Sequence, residues 1–411
     1  MKKRTPSRIA TMRSPGANAR KPLSALLSQI LVALTVEFDG EFESQMSQRG
    51  HAGVRLSMIV WSNLVRFVPG GGVSVRELTE RALADPAAMR HMLGCLERWR
   101  IITLRARSEA TRARELESAP RDGWGSARGI NGEFIVQLTS KGEAAAAIWP
   151  PLFKLMEQRW TKRFGADEIG ALRESLREII DALEVELPRG FVSTWERKQP
   201  FPPRVTRDSS QLPLQTLLSQ ALLAFAMEFE RETATSLALC ANTLRVLGEA
   251  PIPEKDISRL TGSSPETAGI GWQLKPYIAV EPDPTKGRGK LVRLSPRGLV
   301  AQESYHRLTD EIEKRWESRF GKKAIQSLRE SLEGILSAEH GERLAIVEGL
   351  IPPAGTVRAG DTAPALGRRD IGSAGKQRAR DLVAQTGAFV NDPAGALPHY
   401  PLWDMNRGFG P

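Results

Sequence analysis

Two loops in this sequence carry cations in a pattern suited to binding phosphate. Residues 281–290 read EPDPTKGRGK, and a far longer arginine-rich loop lies between residues 104 and 133. Lysine and arginine bind phosphate oxygens and release condensed counterions, which favours association with a polyanion. The predicted phosphate contacts are Arg105, Arg107, Arg112 and Arg114 in the first loop and Lys286, Arg288 and Lys290 in the second. The alternative for the second loop is a merely soluble turn.

No catalytic or metal-binding pattern accompanies these cations. The five histidines form no HExxH or HxH pair, and the segment GSAGKQ at residues 372–377 lacks the spacing of a phosphate-binding Walker loop. Only two cysteines occur, Cys95 and Cys240, and they are far apart, so neither a CxxC metal site nor a disulfide framework is available. We therefore expect a protein that is not an enzyme and needs no cofactor.

The formal net charge of +10 is concentrated at the N-terminus. Residues 1–36 contain seven basic residues and no acidic one, and the rest of the chain is close to neutral. Residues 1–21 are therefore predicted to form a basic flexible arm. Such an arm serves either as a solubilising tail or, as in homeodomains, as a contact to the DNA minor groove, and both interpretations stay open.

Length and composition indicate a globular chain of two or three domains. It has 411 residues, of which 41% are hydrophobic and 26% are charged. The longest apolar runs, residues 30–38 and 222–227, are shorter than the roughly 18 residues that a membrane span requires. No apolar segment with a cleavage site follows the basic N-terminus, so no secretory signal is predicted. We expect a cytoplasmic protein without a membrane partner.

The chain contains an internal repeat. Residues 22–41 and 213–232 share eleven of twenty positions, and the pattern RWxxRFGxxxIxxLRESLxxI begins at both Arg159 and Arg315. Such self-similarity indicates duplicated structural units. The predicted organisation is a first repeat over residues 22–185, a second repeat over residues 213–338, and three further segments: the arm at 1–21, a linker at 186–212 and a Gly/Pro-rich tail at 339–411.

Each repeat is predicted to begin and end with long helices. An amphipathic helix follows Pro22 or Pro213, because apolar residues recur there at helical spacing. Two helices close each repeat, and the first of them stops at Gly165 or Gly321.

Between these ends, the sequence predicts two short helices and then a two-stranded ribbon. In the first repeat the short helices cover residues 75–82 and then run from Pro86 to about Trp99, with Asp85 as N-cap. The corresponding segments of the second repeat are residues 254–260 and 264–273. The predicted strands are residues 101–104 with 133–138, and 277–280 with 290–294.

This order of elements resembles the multiple antibiotic resistance regulator (MarR) family of bacterial transcription factors. The likeness is most specific over residues 280–298, VEPDPTKGRGKLVRLSPRG, and in the pattern L-[TS]-x-[KR]-G at residues 138–142 and 294–298. The residues 397–411 are similar to an ending found in duplicated members. The resemblance implies a mainly α fold with small β-wings: two tandem winged helix-turn-helix domains whose long terminal helices form an intrachain pseudo-dimer. It also implies a small aromatic effector.

In a winged helix the second short helix enters the major groove of DNA. Arg90 and His91 are the predicted base contacts in the first repeat, although both are also consistent with ordinary solvated helix residues. The second repeat offers Thr267 but no lysine or arginine in its helix, so it is poorly equipped to read guanine. Cys95, near the end of the second short helix of the first repeat, is predicted to be a buried, inert thiol; a redox switch, as in some relatives, is the alternative.

Two functions remain open from the sequence. The first is a transcriptional regulator, specifically a repressor, that binds double-stranded DNA in the nucleoid, with or without a second copy of the chain. The second is a protein-interaction or architectural module with only non-specific affinity for DNA. Two features favour it: the chain outside the N-terminal arm is nearly neutral, and the predicted helix at residues 264–273 contains glycines.

Overall fold

A computed structural model describes residues 20–51, 56–106, 130, 133–191, 200–205, 208–261, 274–285, 289–340, 343–350 and 397–401. In these ranges the protein is mainly helical with three small antiparallel sheets. Residues 1–19 of the N-terminal arm, the predicted helix at residues 264–273 and most of the C-terminal tail lie outside the described residues. The last two residues of the arm are held on the second repeat: Arg20 pairs with Glu313 (3.3 Å), and the carbonyl of Lys21 accepts from Arg329.

The first repeat contains six α-helices, one 3₁₀ turn and three strands in its described part. In chain order they are α1 (Leu23–Gln48), α2 (Met58–Asn63), the 3₁₀ turn Val65–Phe67, β1 (Val73–Ser74), α3 (Val75–Arg81), α4 (Pro86–Arg98), β2 (Ile102–Arg105), β3 (Ile135–Leu138), α5 (Ser140–Phe164) and α6 (Ala166–Asp181). The long helices, the two short helices and the strand pair were all predicted from the sequence.

The described part of the second repeat follows the same order, and the counterpart of α4 falls in residues that the structure does not describe. Its elements are α7 (Leu214–Glu232), the π-helix Leu239–Leu244, β4 (Ile252–Pro253), α8 (Glu254–Thr261), β5 (Ile278–Pro282), β6 (Lys290–Leu294), α9 (Pro296–Phe320) and α10 (Lys322–Ser337). A small hairpin, β7 (Glu339–His340) with β8 (Arg343–Leu344), and α11 (Ala345–Leu350) come next, and α11 packs against α1 and α10.

Each repeat has a three-stranded sheet rather than the predicted two-stranded ribbon. The strand orders are β1-β3-β2 and β4-β6-β5, and the added strands pair Val73 with Val136 and Ile252 with Val292. A strand of two residues has no alternating pattern, so the sequence did not reveal it. Gly72 precedes β1 with φ +84°, and a Cβ there would press on the side chains of β3.

Helix α1 is buried on nearly all sides, so the prediction of an amphipathic helix was wrong. It packs against α5 of its own repeat, against α7 and α10 of the second repeat, and against α11. Even its polar residues Ser24, Ser28, Gln29 and Thr35 are buried. By length and a mean hydropathy of 1.4, α1 is apolar enough to cross a membrane, yet 89% of that window is buried inside the protein. Burial by both repeats accounts for its composition.

Residues of the repeated RWxxRFG pattern on α5 form hydrogen bonds to α1. The indole N–H of Trp160 donates to a carboxylate oxygen of Glu37 (2.9 Å), and Arg163 binds both oxygens of the same carboxylate. In the second repeat, Trp316 donates to Glu228 (3.0 Å) in the same way. Both tryptophans are fully buried, as expected for packing anchors.

The two repeats contact each other through equivalent helices. Helix α1 packs against α7, and α6 packs against α10, within one continuous apolar core. Arg173 on α6 donates to the carbonyl of Leu212, just before α7 (2.7 Å), and Arg329 on α10 donates to the carbonyl of Lys21, just before α1 (2.9 Å). Each repeat thus holds the start of the other by the same contact.

The described parts of the linker and of the tail pack on this core. Leu187, Phe191 and Phe201 of the linker are buried, and Val185 forms a bridge with Pro203. In the tail, residues 397–401 are buried as well. The sequence indicated only a Gly/Pro-rich tail over residues 339–411, and it did not reveal that α11 and these five residues pack on the core.

Candidate nucleic-acid interface

Helices α3 and α4 are joined by a tight turn. The side chain of Asp85 accepts hydrogen bonds from the backbone N–H groups of Ala87 (2.7 Å) and Ala88 (3.4 Å), and Pro86 occupies the first turn. The N-cap satisfies amide groups that would otherwise lack a partner. As predicted, Asp85 starts α4, which buries Met89, Leu93 and Leu96 and leaves its opposite face outside the core.

The end of α4 is fixed by the L-[TS]-x-[KR]-G pattern. Arg100 has φ +58° and turns the chain into β2. The hydroxyl of Thr139 caps α5 at the amide of Gly142 and donates to the carbonyl of Arg100 (2.7 Å). A Cβ at Gly142 would overlap the carbonyl oxygen of Ile101. The long helix α5 therefore sets the position of α4 and of the sheet.

The outer face of α4 carries a row of three polar side chains. His91, Cys95 and Arg98 follow one another at the spacing of one helix face. The guanidinium of Arg98 lies 3.1 Å from the Cys95 sulfur, and Nε2 of His91 lies 3.9 Å from it. The hydrogen bond with His91 is the main cause that lowers the pKa of the Cys95 thiol, against a smaller opposing effect of burial.

Cys95 is only partly buried, so the prediction of a buried thiol was wrong. The apolar residues at neighbouring positions face the core, whereas position 95 faces outward between His91 and Arg98. Cys240 is the buried thiol, because burial first and Glu230 second raise its pKa to about 12.

Arg90, the other predicted base contact, faces a different direction from His91. It lines a groove of about 660 Å³ formed by α3, α4 and residues 200–203 of the linker, together with Arg76 and Glu80. Arg90 is partly buried there, while His91 is exposed. Arg90 and His91 therefore lie on two neighbouring surfaces of α4: Arg90 in the groove and His91 on the outer face.

Two predicted phosphate contacts are described at strand ends. Arg105 is exposed at the end of β2. Lys290 begins β6, and its Nζ lies 3.8 Å from a carboxylate oxygen of Glu254 in the first turn of α8. Lys290 is exposed and Glu254 is only partly buried, so the pair contributes little to stability and Lys290 can readily contact another partner. The predicted contacts Arg107, Arg112, Arg114, Thr267, Lys286 and Arg288 lie outside the described residues.

The sequence prediction missed two cations at the end of α4. Arg98 and Arg100 are exposed on either side of Trp99, whose side chain is 39% exposed. Arg98 extends the row begun by His91, and Arg100 lies next to β2. The tetrapeptide ERWR at residues 97–100, basic and aromatic just before a predicted strand, was the signal that could have identified them.

Among the described residues, no group of three histidine, cysteine or acidic side chains could hold a metal ion. Comparisons with protein-family models, with curated proteins and with solved structures find no match to this chain.

Proposed function

We propose that this chain is a DNA-binding transcriptional regulator that acts as a repressor, built from two tandem winged-helix repeats that pair within one chain. The observation that carries the proposal is the capped helix pair α3–α4, whose outer face bears His91 and Arg98 beside a sheet ending in Arg105. A second helix of this kind enters the major groove, and the adjacent strands reach the backbone.

Each element has a defined part in this proposal. His91 and Arg98 would face base edges, Arg100 and Arg105 would contact phosphates, and the N-terminal arm would add non-specific affinity. The reciprocal contacts of Arg173 and Arg329 support paired repeats, which would place two reading helices on one face of DNA. Occupancy of a promoter excludes polymerase without chemistry, so a repressor needs no catalytic group. Such a protein would act at the nucleoid.

Binding measurements on variants test this proposal. Arg98→Ala should lower affinity for a selected site about 5- to 100-fold and reduce its preference over a scrambled site. Arg105→Ala should weaken both duplexes equally and flatten the dependence on salt by about one counterion. Glu174→Ala, on the exposed surface of α6, is the control. Equal behaviour of Arg98→Ala and the control would refute base reading by α4.

A second candidate function is a module that contacts another protein through the second repeat. The pairing of Lys290 with Glu254, beside Asp256 in the first turn of α8, favours it, because carboxylates at this edge repel phosphate. In that case one repeat alone would contact DNA. A footprint covering a single half-site would support this candidate, and a footprint covering two would count against it.

A further inference from the structure

Two short segments with the sequence Leu-Pro occupy equivalent places between the repeats. One is residues 187–191, LPRGF, directly after the first repeat, and the other is residues 397–401, LPHYP, near the C-terminus. Leu187 and Leu397 are both buried. The aromatic residues of the two segments, Phe191 and Tyr400, meet edge to face with ring centres 5.2 Å apart.

The first segment is held by one side-chain amide from each repeat. The amide nitrogen of Gln220 on α7 donates to the carbonyl of Leu187 (2.9 Å). Asn63 at the end of α2 donates to the carbonyl of Phe191 (2.9 Å) and accepts from the backbone N–H of Gly190 (3.0 Å). The second repeat thus holds the start of the segment, and the first repeat holds its end.

The second segment is held in the same way with the repeats exchanged. The amide nitrogen of Gln29 on α1 donates to the carbonyl of Leu397, and the hydroxyl of Ser28 donates to that of Pro398 (both 3.0 Å). Asn242 on the π-helix donates to the carbonyl of Tyr400 (2.9 Å) and accepts from its backbone N–H (3.0 Å). All of these hydrogen bonds are buried.

The residues that form the two sites correspond in the repeat. Gln29 and Gln220 occupy the same position of the repeated segment PLxxLLSQ. Asn63 and Asn242 each begin an Asn-x-x-Arg sequence, NLVR and NTLR, after the first helix of their repeat. Two equivalent buried sites with equivalent donors indicate a binding site that was duplicated with the rest of the unit, and not a chance contact of the tail.

The chemistry of the sites defines the ligand that they bind. Both sites donate side-chain amide N–H groups to main-chain carbonyls of the segment. This requires a peptide whose carbonyls are not used in secondary structure, and both segments are irregular, with bends, rather than strands or helices. Proline has no N–H, so it can be buried without leaving a donor unsatisfied. Leucine fills an apolar position, and an aromatic ring lies where the two sites meet. The ligand class is a Leu-Pro peptide with an aromatic residue two or three positions after the proline.

We propose that residues 397–401 are an intrachain peptide ligand, a releasable latch that binds across both repeats in a site for Leu-Pro-containing segments. The equivalent segment 187–191 begins a few residues after the end of α6 at Asp181, whereas residues 351–396 separate residue 397 from the end of α11 at Leu350, a connection about nine times as long. Closing the longer connection disfavours docking by about 30-fold relative to the shorter one on loop-closure entropy. The C-terminal segment is therefore the one that exchanges, and its release frees a site that contacts both repeats.

Peptide binding to a released variant tests the latch. In the full chain, Leu397→Asp with Tyr400→Asp places two charges in buried positions and should expel the segment. A fluorescent synthetic peptide of residues 394–403 should then bind this variant at least tenfold more tightly than it binds the unaltered chain, where the site is filled. Adding Asn242→Ala to this variant should lower its affinity for the peptide by tenfold or more, because two buried hydrogen bonds with Tyr400 are lost.

A peptide with both aspartates is the matched control ligand and should not bind. A folded released variant, with unchanged helical circular dichroism, that fails to bind the natural peptide would overturn the proposal. Equal binding to the variant and to the unaltered chain would overturn it as well.

Hydrogen exchange provides a second measurement that does not need the released variant to fold. In the unaltered chain, the amides of Leu397, His399 and Tyr400 should exchange at least tenfold more slowly than in an unstructured peptide. Asn242→Ala should remove this protection while α5 and α6 stay protected. Unprotected amides in the unaltered chain would contradict the proposal. DNA binding enters neither experiment, so the outcome is independent of the proposed function.

Discussion

The carboxylate of Glu37 is the most completely bound acidic group between α1 and α5. It receives two hydrogen bonds from Arg163 and one from Trp160, and the side chains of Glu37 and Arg163 are 7% and 11% exposed. The equivalent Glu228 is more exposed, and its nearest contact with Arg319 is 3.7 Å. Duplication preserved the residues but not the strength of this contact.

Removing one partner of a buried pair leaves the other charge poorly compensated. Without Glu37, Arg163 would keep only the more exposed carboxylate of Glu348, 3.4 Å away. We expect Glu37→Ala to lower the free energy of unfolding by about 3 kcal/mol, and Glu228→Ala to lower it by about 1 kcal/mol, because that pair is better solvated. Urea denaturation followed by circular dichroism measures both. Equal losses in the two variants would contradict this ranking.

The lowered pKa of Cys95 makes its thiol reactive. More of the thiolate is present at neutral pH than for an ordinary cysteine, and the thiolate is the reacting form. Iodoacetamide should modify Cys95 and leave Cys240 intact in the folded protein, since burial raises the pKa of Cys240 to about 12. His91→Ala should slow the reaction several-fold at pH 7. Mass spectrometry at intervals follows both sites, and modification of Cys240 first would refute the prediction.

His399 makes docking of the C-terminal segment dependent on pH. Burial, then the nearby cations Arg245 and Lys21, lower its pKa well below 6.5, and its Nδ1 has no hydrogen-bond partner among the described residues. The docked ring is neutral, so docking is fully favourable above pH 6.5 and weakens as the free segment takes up a proton below it. The affinity of the peptide of residues 394–403 for the variant with Leu397→Asp and Tyr400→Asp should fall by up to tenfold per pH unit below about 6.5.

The control for this pH dependence is a peptide with His399→Gln, which keeps a neutral side chain at all pH values. Its affinity should not change between pH 7.5 and 5.5 beyond what the receptor itself contributes. A natural peptide that binds equally at both pH values would contradict the assignment of a neutral buried ring.

At the scale of elements, local signals in the sequence identified the helices that position α4. The Asp85-Pro86 cap and the glycines Gly165 and Gly321 mark helix ends by backbone chemistry that acts within a few residues. The added strands β1 and β4 and the all-round burial of α1 could not be predicted, because they depend on contacts between distant segments. The same holds for the outward position of Cys95, since the face of α4 that is buried depends on how the distant segments of the core assemble.

The contact between the start of α5 and the start of β2 depends on a missing side chain. Gly142→Ala should lower the free energy of unfolding by about 2 kcal/mol or more, because the new Cβ meets the carbonyl of Ile101, which is backbone and cannot rotate away. Gly170→Ala is the matched control: Gly170 lies inside α6 with no atom near its Cβ position, so alanine should stabilise by about 0.5–1 kcal/mol. Thermal denaturation of the two variants distinguishes them, and destabilisation by both would refute the argument.

In the molecule as a whole, the two repeats contact each other symmetrically: equivalent residues of each repeat make equivalent contacts with the other. Arg173 of the first repeat contacts the start of the second, and Arg329 of the second repeat contacts the start of the first. Each Leu-Pro segment is likewise bound by a glutamine from one repeat and an asparagine from the other, with the two repeats in opposite roles. The repeat was visible in the sequence, but these reciprocal contacts were not, because the sequence does not show which residues of one repeat face which residues of the other.

Sequence-specific DNA binding is tested by selection of bound fragments from a random duplex pool at two salt concentrations. We expect an enriched site that persists at the higher salt, because base contacts by α4 add to the salt-dependent phosphate contacts. Binding without enrichment that disappears at the higher salt would contradict it. The N-terminal arm would then be the source of DNA affinity, and the repeats would serve another partner.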